Sequence, residues 1–390
     1  MEISDLFPQP DKIRTVYCDS CKGYMALRFS YFSERISGVH IEVAGLPVLR
    51  CEVCDIDYLP EDSCFSLIRL HEQATEKGKD LVRVERKKTS QKFGYTKVPF
   101  EYDSDDYKYI PGLQRPHSEG FLTPVFFKKE VLLKYDISPI YRLSFSSRTY
   151  GNIIHGDEYS CAFGVNSLDH VIMWLGDISK LPEKEQYYLC SENIESDHLI
   201  GSEFYDGQIE CIFTDRTPED KLFRKRSEFL EAYFLKSKMK IGHLDNEVLE
   251  LYTDFNSPIV DTPRERRNVA DTLNKVYIES FDNKSLQQQY RISVGDPGKL
   301  GSLKLLQGIL EVHCPSLDVS KLMSPFFVLY DMRVACSHLS SASGSEGKIK
   351  TVTDRLDLDE GAPLIEIYNK ITKEMTSSFE VFTQCMVKNT

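Results

Sequence analysis

Two groups of residues have types and spacings that could do chemistry. Near the start stand two CxxC pairs, Cys18-Asp-Ser-Cys21 and Cys51-Glu-Val-Cys54. Near the end, the segment Leu329-Tyr-Asp-Met-Arg-Val-Ala-Cys-Ser-His-Leu carries Asp331, Arg333, Ser337 and His338. Four thiolates from two short knuckles can close a tetrahedron around one Zn²⁺. With every position taken by protein, such an ion holds a fold together and does no chemistry. Arg333 and His338 form an R-x4-H pattern. Imidazole titrates near neutral pH and guanidinium is a planar, permanent cation, so the pair suits proton transfer beside a developing negative charge.

These groups need elements to position them. The 29 residues between the cysteine pairs, 22 to 50, are enough for a strand, a turn and a returning strand. Tyr24-Met-Ala-Leu-Arg-Phe and Ser37-Gly-Val-His-Ile-Glu-Val alternate as strands do, and Pro60-Glu-Asp opens a helix. The segment around Arg333 reads as the end of an apolar helix. There, an offset of five puts Arg333 and His338 about 140° apart, so the Arg arm must bend toward any cleft that His338 faces. Asp331 shares nearly the same face as His338, and Ser337 sits one turn after Arg333.

Bulk properties bound the rest. A chain of 390 residues suggests two or three domains. Hydrophobic residues make up 41%, which is globular and not disordered. The net charge of -12 excludes a uniformly basic surface, so a phosphate-binding face would have to be a local patch. No apolar run approaches the length of a membrane span, and Met1-Glu-Ile-Ser-Asp-Leu-Phe-Pro carries no secretory pattern, so a cytoplasmic location with no membrane contact is expected. In a reducing compartment the seven cysteines outside the two pairs, Cys314 and Cys385 among them, read as small buried hydrophobes.

Along the chain, residues 1–75 read as a zinc-ribbon domain and 76–94, rich in Lys and Arg, as a basic linker leading into Glu101-Tyr-Asp-Ser-Asp-Asp-Tyr. Residues 95–216 read as a central mixed, β-rich domain of short apolar runs, the last being Gln208-Ile-Glu-Cys-Ile-Phe. From Thr217-Pro-Glu-Asp the pattern turns helical to the end, 217–390, with Ser340-Ser-Ala-Ser-Gly-Ser-Glu-Gly as a flexible loop before the last helix. The expected fold class is multidomain α+β: a zinc ribbon, a β-rich centre and an all-α bundle.

Two family resemblances follow from these residues. Gly45-Leu-Pro-Val-Leu-Arg-Cys-Glu-Val-Cys-Asp-Ile-Asp-Tyr-Leu-Pro, with the upstream CxxC, resembles the YgiT/MqsA-type zinc finger found at the N-terminus of some bacterial antitoxins. It implies structural Zn²⁺ on Cys18, Cys21, Cys51 and Cys54. The R-x4-H segment in a late helix, followed by one more helix, resembles the HEPN superfamily of small helical bundles. That resemblance implies a metal-independent endoribonuclease acting as a homodimer or higher oligomer. In this chemistry the RNA 2′-hydroxyl attacks the adjacent phosphate and leaves a 2′,3′-cyclic phosphate and a 5′-hydroxyl. His338 would move the proton and Arg333 would stabilise the pentacoordinate phosphate, with Asp331 orienting the imidazole and Ser337 touching a phosphate oxygen. By family association it implies a bacterial toxin or antiviral effector, with RNA as substrate and a regulatory or trigger protein as a further partner.

The same residues fit a structural role: Arg333 paired with a carboxylate, His338 capping helix carbonyls. The corresponding alternative function is a non-catalytic zinc-finger regulator or scaffold that dimerises through its helices and binds a partner protein or DNA. Arg224, Lys225 and Arg226 with Arg264, Arg266 and Arg267 could form the local basic patch or a solvated helix face. His155, Asp157, Asp177 and Asp197-His198 read as turn residues, with a metal-dependent hydrolase as a distant third class.

Overall fold

Alternating side chains set the first sheet. In the computed structural model, which describes residues 1–7, 15–337 and 342–388, β1 (Met25–Ile36) and β2 (Val39–Cys51) form a long antiparallel hairpin. Ser37 and Gly38 make its tight turn with positive φ (40° and 94°). The register sets Met25 opposite Cys51, so the foot of the hairpin carries the second knuckle. On the other edge of β2 lie β3 (Asp57–Tyr58), antiparallel, and, beyond helix α1 (Glu61–Glu76), β4 (Leu81–Glu85), parallel. Helix α1 buries Cys64, Leu67, Ile68 and Ala74 in one cluster with Ile41, Val43 and Leu46.

A second sheet follows, antiparallel throughout and ordered β10-β5-β9-β8-β7-β6. Its strands are β5 (Pro124–Lys128), β6 (Arg142–Phe145), β7 (Tyr150–His155), β8 (Tyr159–Val165), β9 (His170–Trp174) and β10 (Asn193–Ile194). Short helices α2 (Ser104–Tyr109), α3 (Leu133–Ile137), α4 (Leu175–Ile178), α5 (Glu183–Ser191) and α6 (Glu203–Tyr205) flank it.

The chain divides into two compact units, Met1–Asp215 and Arg216–Thr390. The ribbon and the centre, 1–75 and 95–216 in the sequence reading, fall together in the first apart from Arg216. Cys18, Leu27, Leu49 and Cys51 belong to the same buried cluster as Phe126, Ile172, Trp174 and Phe204. The segment after β10 ties the two sheets together. Leu27 N donates to the His198 carbonyl and Arg28 Nη1 to that of Asp197, each at 3.1 Å. Tyr17 and Tyr24 donate their hydroxyls to Asp206, Tyr24 at 2.7 Å. At Gly201 a Cβ would fall 2.4 Å from Tyr24 Cβ, so the segment crosses Tyr24 only because no side chain is there.

Two local expectations are corrected. The 76–94 stretch is not a simple linker: Leu81-Val-Arg-Val-Glu is β4, hydrogen-bonded to β2. Its basic residues meet the acidic run that follows, with Arg86 Nη1 2.5 Å from Asp105 and Lys88 Nζ 2.9 Å from Asp103. Asp105 and Asp106 are fully buried at the start of α2, and Asp106 accepts from Ser196 Oγ and lies 2.7 Å from His198 Nδ1. Gln208–Phe213 is not a strand. Asp206–Glu210 forms a π-helical turn, Cys211 takes φ +54°, and Phe213 is wholly exposed.

The second unit is helical: α7 (Pro218–Ser237), α8 (Asp245–Thr253), α9 (Pro263–Asn274), α10 (Asn283–Ser293), α11 (Ser302–His313), α12 (Val319–Ser337), α13 (Ala342–Arg355) and α14 (Leu364–Lys388). Thr217 caps α7 by accepting from Asp220 N, with Pro218 in the first turn. Helix α9 runs into a π-helical turn, Lys275–Glu279. Phe229, Tyr277, Leu306, Phe326, Met332 and Phe379 share its core, with Phe379 5.6 Å from Phe229. The loop expected at Ser340–Gly347 is helix α13 from Ala342 onward, while Ser340 and Ser341 lie outside the described residues. Cys314 and Cys385, read from sequence as separate thiols, are joined by a disulfide. They are 71 positions apart, but the ends of α11 and α14 come together. No helix among the described residues is long and apolar enough to cross a membrane.

Candidate functional site

The two knuckles are built alike. Cys18 N donates to the Gly23 carbonyl and Cys51 N to that of Ile56, at 2.8 and 3.0 Å. Lys22 N returns to the Cys18 carbonyl and Asp55 N to that of Cys51, at 2.9 and 3.0 Å. Lys22 and Asp55, each directly after the second cysteine, both take the left-handed conformation (φ 61° and 55°). Each CxxC is thus a rigid turn with both sulfurs on its inner side. Gly23 N points at Cys21 Sγ and Val53 N at Cys51 Sγ, both at 3.4 Å, and such donors stabilise thiolates.

The four Sγ atoms lie within 4.8 Å of one another, with Cys18–Cys54 at 3.5 Å and Cys21–Cys51 at 3.4 Å. A tetrahedron of sulfurs around a metal at about 2.3 Å has edges of about 3.8 Å, so the cluster fits a metal ion. The thiols also differ in acidity. A hydrogen bond with Tyr58, then the backbone of Cys21, lowers the Cys18 thiol to about 6. Burial, with Cys18 beside it, pushes Cys54 up to about 12. Four thiolates this close would repel one another, and a bound cation would offset that repulsion. Tyr58, supplied by β3 3.5 Å from Cys18 Sγ, is a neighbour the motif did not reveal. Among the described residues this is the one group of three or more His, Cys, Asp or Glu with ligand spacing, so His155, Asp157 and Asp177 do not gather as a metal site. His155 instead lies 2.8 Å from Glu158 in the turn after β7.

At the other candidate site, Arg333 and Ser337 stand one turn apart near the end of α12 and reach the same carboxylate. Arg333 Nε is 3.4 Å from Asp271 Oδ1, and Ser337 Oγ donates to that oxygen at 2.7 Å. Arg333 Nη2 is also 3.4 Å from Glu279 Oε1, at the end of the π-helical turn. Asn274 Nδ2 donates to the same Glu279 oxygen at 2.8 Å. Arg267 Nε donates to the Cys336 carbonyl at 3.2 Å, bringing a second guanidinium to this helix end. Asp331 holds Arg355 of α13 at 2.6 Å. His338, next in sequence after Ser337, lies outside the described residues. Asp271 and Glu279 gave no motif, since the fold alone sets them against α12, and Arg267 was named only as part of a basic patch or solvated face.

Most of the other basic residues named from the sequence are paired or buried. Arg266 forms a bidentate pair with Asp261 at 2.6 and 2.7 Å. Arg224 and Lys225 pair with Glu228, and Arg226 is buried against Ser280 Oγ.

Comparison of the chain with protein families, with curated proteins and with solved structures finds no match.

Proposed function

We propose that this protein is a metal-independent endoribonuclease whose cutting residues are Arg333 and His338, carried by a HEPN-like helical unit, and that a YgiT/MqsA-like ribbon holds structural Zn²⁺ on Cys18, Cys21, Cys51 and Cys54. The supporting observation is the gathering of Arg333, Ser337 and Arg267 around the end of α12 that leads in sequence to His338. Cationic and hydroxyl groups there suit a phosphodiester. His338 takes the proton from the RNA 2′-hydroxyl, the 2′ oxygen attacks the adjacent phosphorus, and the 5′ oxygen leaves, taking a proton from an imidazolium to become the 5′-hydroxyl. Arg333 balances the charge that builds on the phosphate oxygens, and Ser337 donates to one of them. A second copy of the chain, facing the first, supplies the matching pair. The metal closes the ribbon and takes no part in the reaction. The setting that fits is a bacterial toxin or antiviral effector whose cutting a trigger protein increases.

The test is RNA cleavage by the purified chain. Loss of one proton-transfer or charge-stabilising group costs about 10²–10⁴-fold in rate. Arg333→Ala and His338→Ala should each fall by that factor with unchanged melting. Wild-type rates in both variants would remove these residues from the mechanism.

A second reading has its own observation. Arg333 already faces two carboxylates, Asp271 and Glu279, as a structural arginine would. On that reading the helical unit dimerises without cutting, the ribbon binds a partner protein or DNA, and no variant changes any RNA.

A further inference from the structure

We propose that Asp271 and Glu279 occupy the phosphate position of an anion subsite centred on Arg333, and that single-stranded RNA binds there by displacing them; this rests on the nuclease reading above. The subsite is distinguished by how loosely it is filled. Arg266 holds Asp261 through two short hydrogen bonds, and Asp261 also accepts from Leu364 N at 2.9 Å, a structural lock. Arg333 instead meets one oxygen from each of two acids, both at 3.4 Å. All three side chains are partly open to solvent: Arg333 35%, Asp271 32%, Glu279 48%. Ion pairs of that kind add little to stability, so a ligand can replace them at small cost.

The shape of the replacement follows from the contacts. Two carboxylate oxygens from different side chains present a divided negative charge to Nε and Nη2, as two oxygens of one phosphodiester do. Ser337 Oγ, now donating to Asp271, turns to the incoming phosphate. Glu279 ends a π-helical turn, an irregularity frequent at functional sites. While the acids stay in place they repel RNA, so the resting site is closed by the protein's own charge.

Asp271→Asn/Glu279→Gln tests this, because the amides keep shape and can still accept from Ser337 and Asn274. The probe is a short labelled single-stranded RNA with 2′-O-methyl riboses, which binds but offers no attacking hydroxyl. The control is Glu247→Gln/Glu250→Gln on exposed α8, which alters net charge equally. Binding should tighten by about tenfold or more in the Asp271/Glu279 variant alone. Adding Arg333→Ala should cancel the gain. Equal binding by wild type and variant, or an equal gain in the control, overturns the proposal. Tighter binding while unmodified RNA stays intact upholds the subsite and defeats the nuclease reading instead.

Discussion

Stripping the metal from the four-cysteine cluster is expected to unfold the whole first unit, and Trp174 will report it. It is the only tryptophan in the chain, fully buried, and stacked on Phe204 at 4.8 Å between ring centroids. Cys18 and Cys51 line the same buried cluster. Magnitudes decide how far the damage spreads. A structural thiolate metal supplies about 10–16 kcal/mol, while a domain is stable by about 5–15 kcal/mol. A ribbon on its own tether would lose its metal and leave Trp174 untouched. Here the two sheets share a core, and the Tyr17, Tyr24, Leu27 and Arg28 links to residues 197–206 break with the knuckles. A strong chelator, or Cys51→Ser, should red-shift tryptophan emission in step with metal release, measured by a colorimetric indicator. Complete release with unchanged emission would show that the ribbon folds apart from the second sheet.

The second large effect belongs to the disulfide. Joining Cys314 to Cys385 closes a loop of 71 positions, which restricts the unfolded chain by about 4 kcal/mol. For a unit of this size that corresponds to a fall on the order of 10 °C in Tm when the bond is removed. Cys314→Ala/Cys385→Ala should show it by helical circular dichroism. Cys336→Ala should show far less, since that thiol carries no cross-link. In the denatured, metal-free protein, nine thiols should react in place of eleven. Equal midpoints and eleven reactive thiols would contradict the bond.

What could be read ahead of the structure was whatever depends on local spacing. The CxxC pairs, the alternation in Tyr24–Phe29 and Ser37–Val43, and the Thr217-Pro-Glu-Asp cap each state their geometry within a few residues. What could not be read depends on partners distant in sequence. Arg86 and Lys88 look solvated in one dimension, yet Asp105 and Asp103 neutralise them in three. Asp106 looks like part of an exposed acidic run until His198, 92 positions later, is found against it. The Cys314–Cys385 bond has the same cause, since thiols 71 apart announce nothing. Helix α13 was hidden by Ser and Gly, poor helix formers that favour turns elsewhere. At the candidate site the sequence named Arg333 and Ser337 but not Asp271 and Glu279, the acids that the arginine meets in the structure.

The chemistry of the cut ends tests the central claim most directly. RNA should be incubated with the protein and a weak chelator that removes Mg²⁺ but leaves a metal held by four thiolates in place, and the fragment termini then determined by mass spectrometry. Attack by the 2′-hydroxyl predicts 2′,3′-cyclic phosphate on one fragment and 5′-hydroxyl on the other, at an undiminished rate. Fragments ending in 3′-hydroxyl and 5′-phosphate, formed only when Mg²⁺ is restored, would contradict the account.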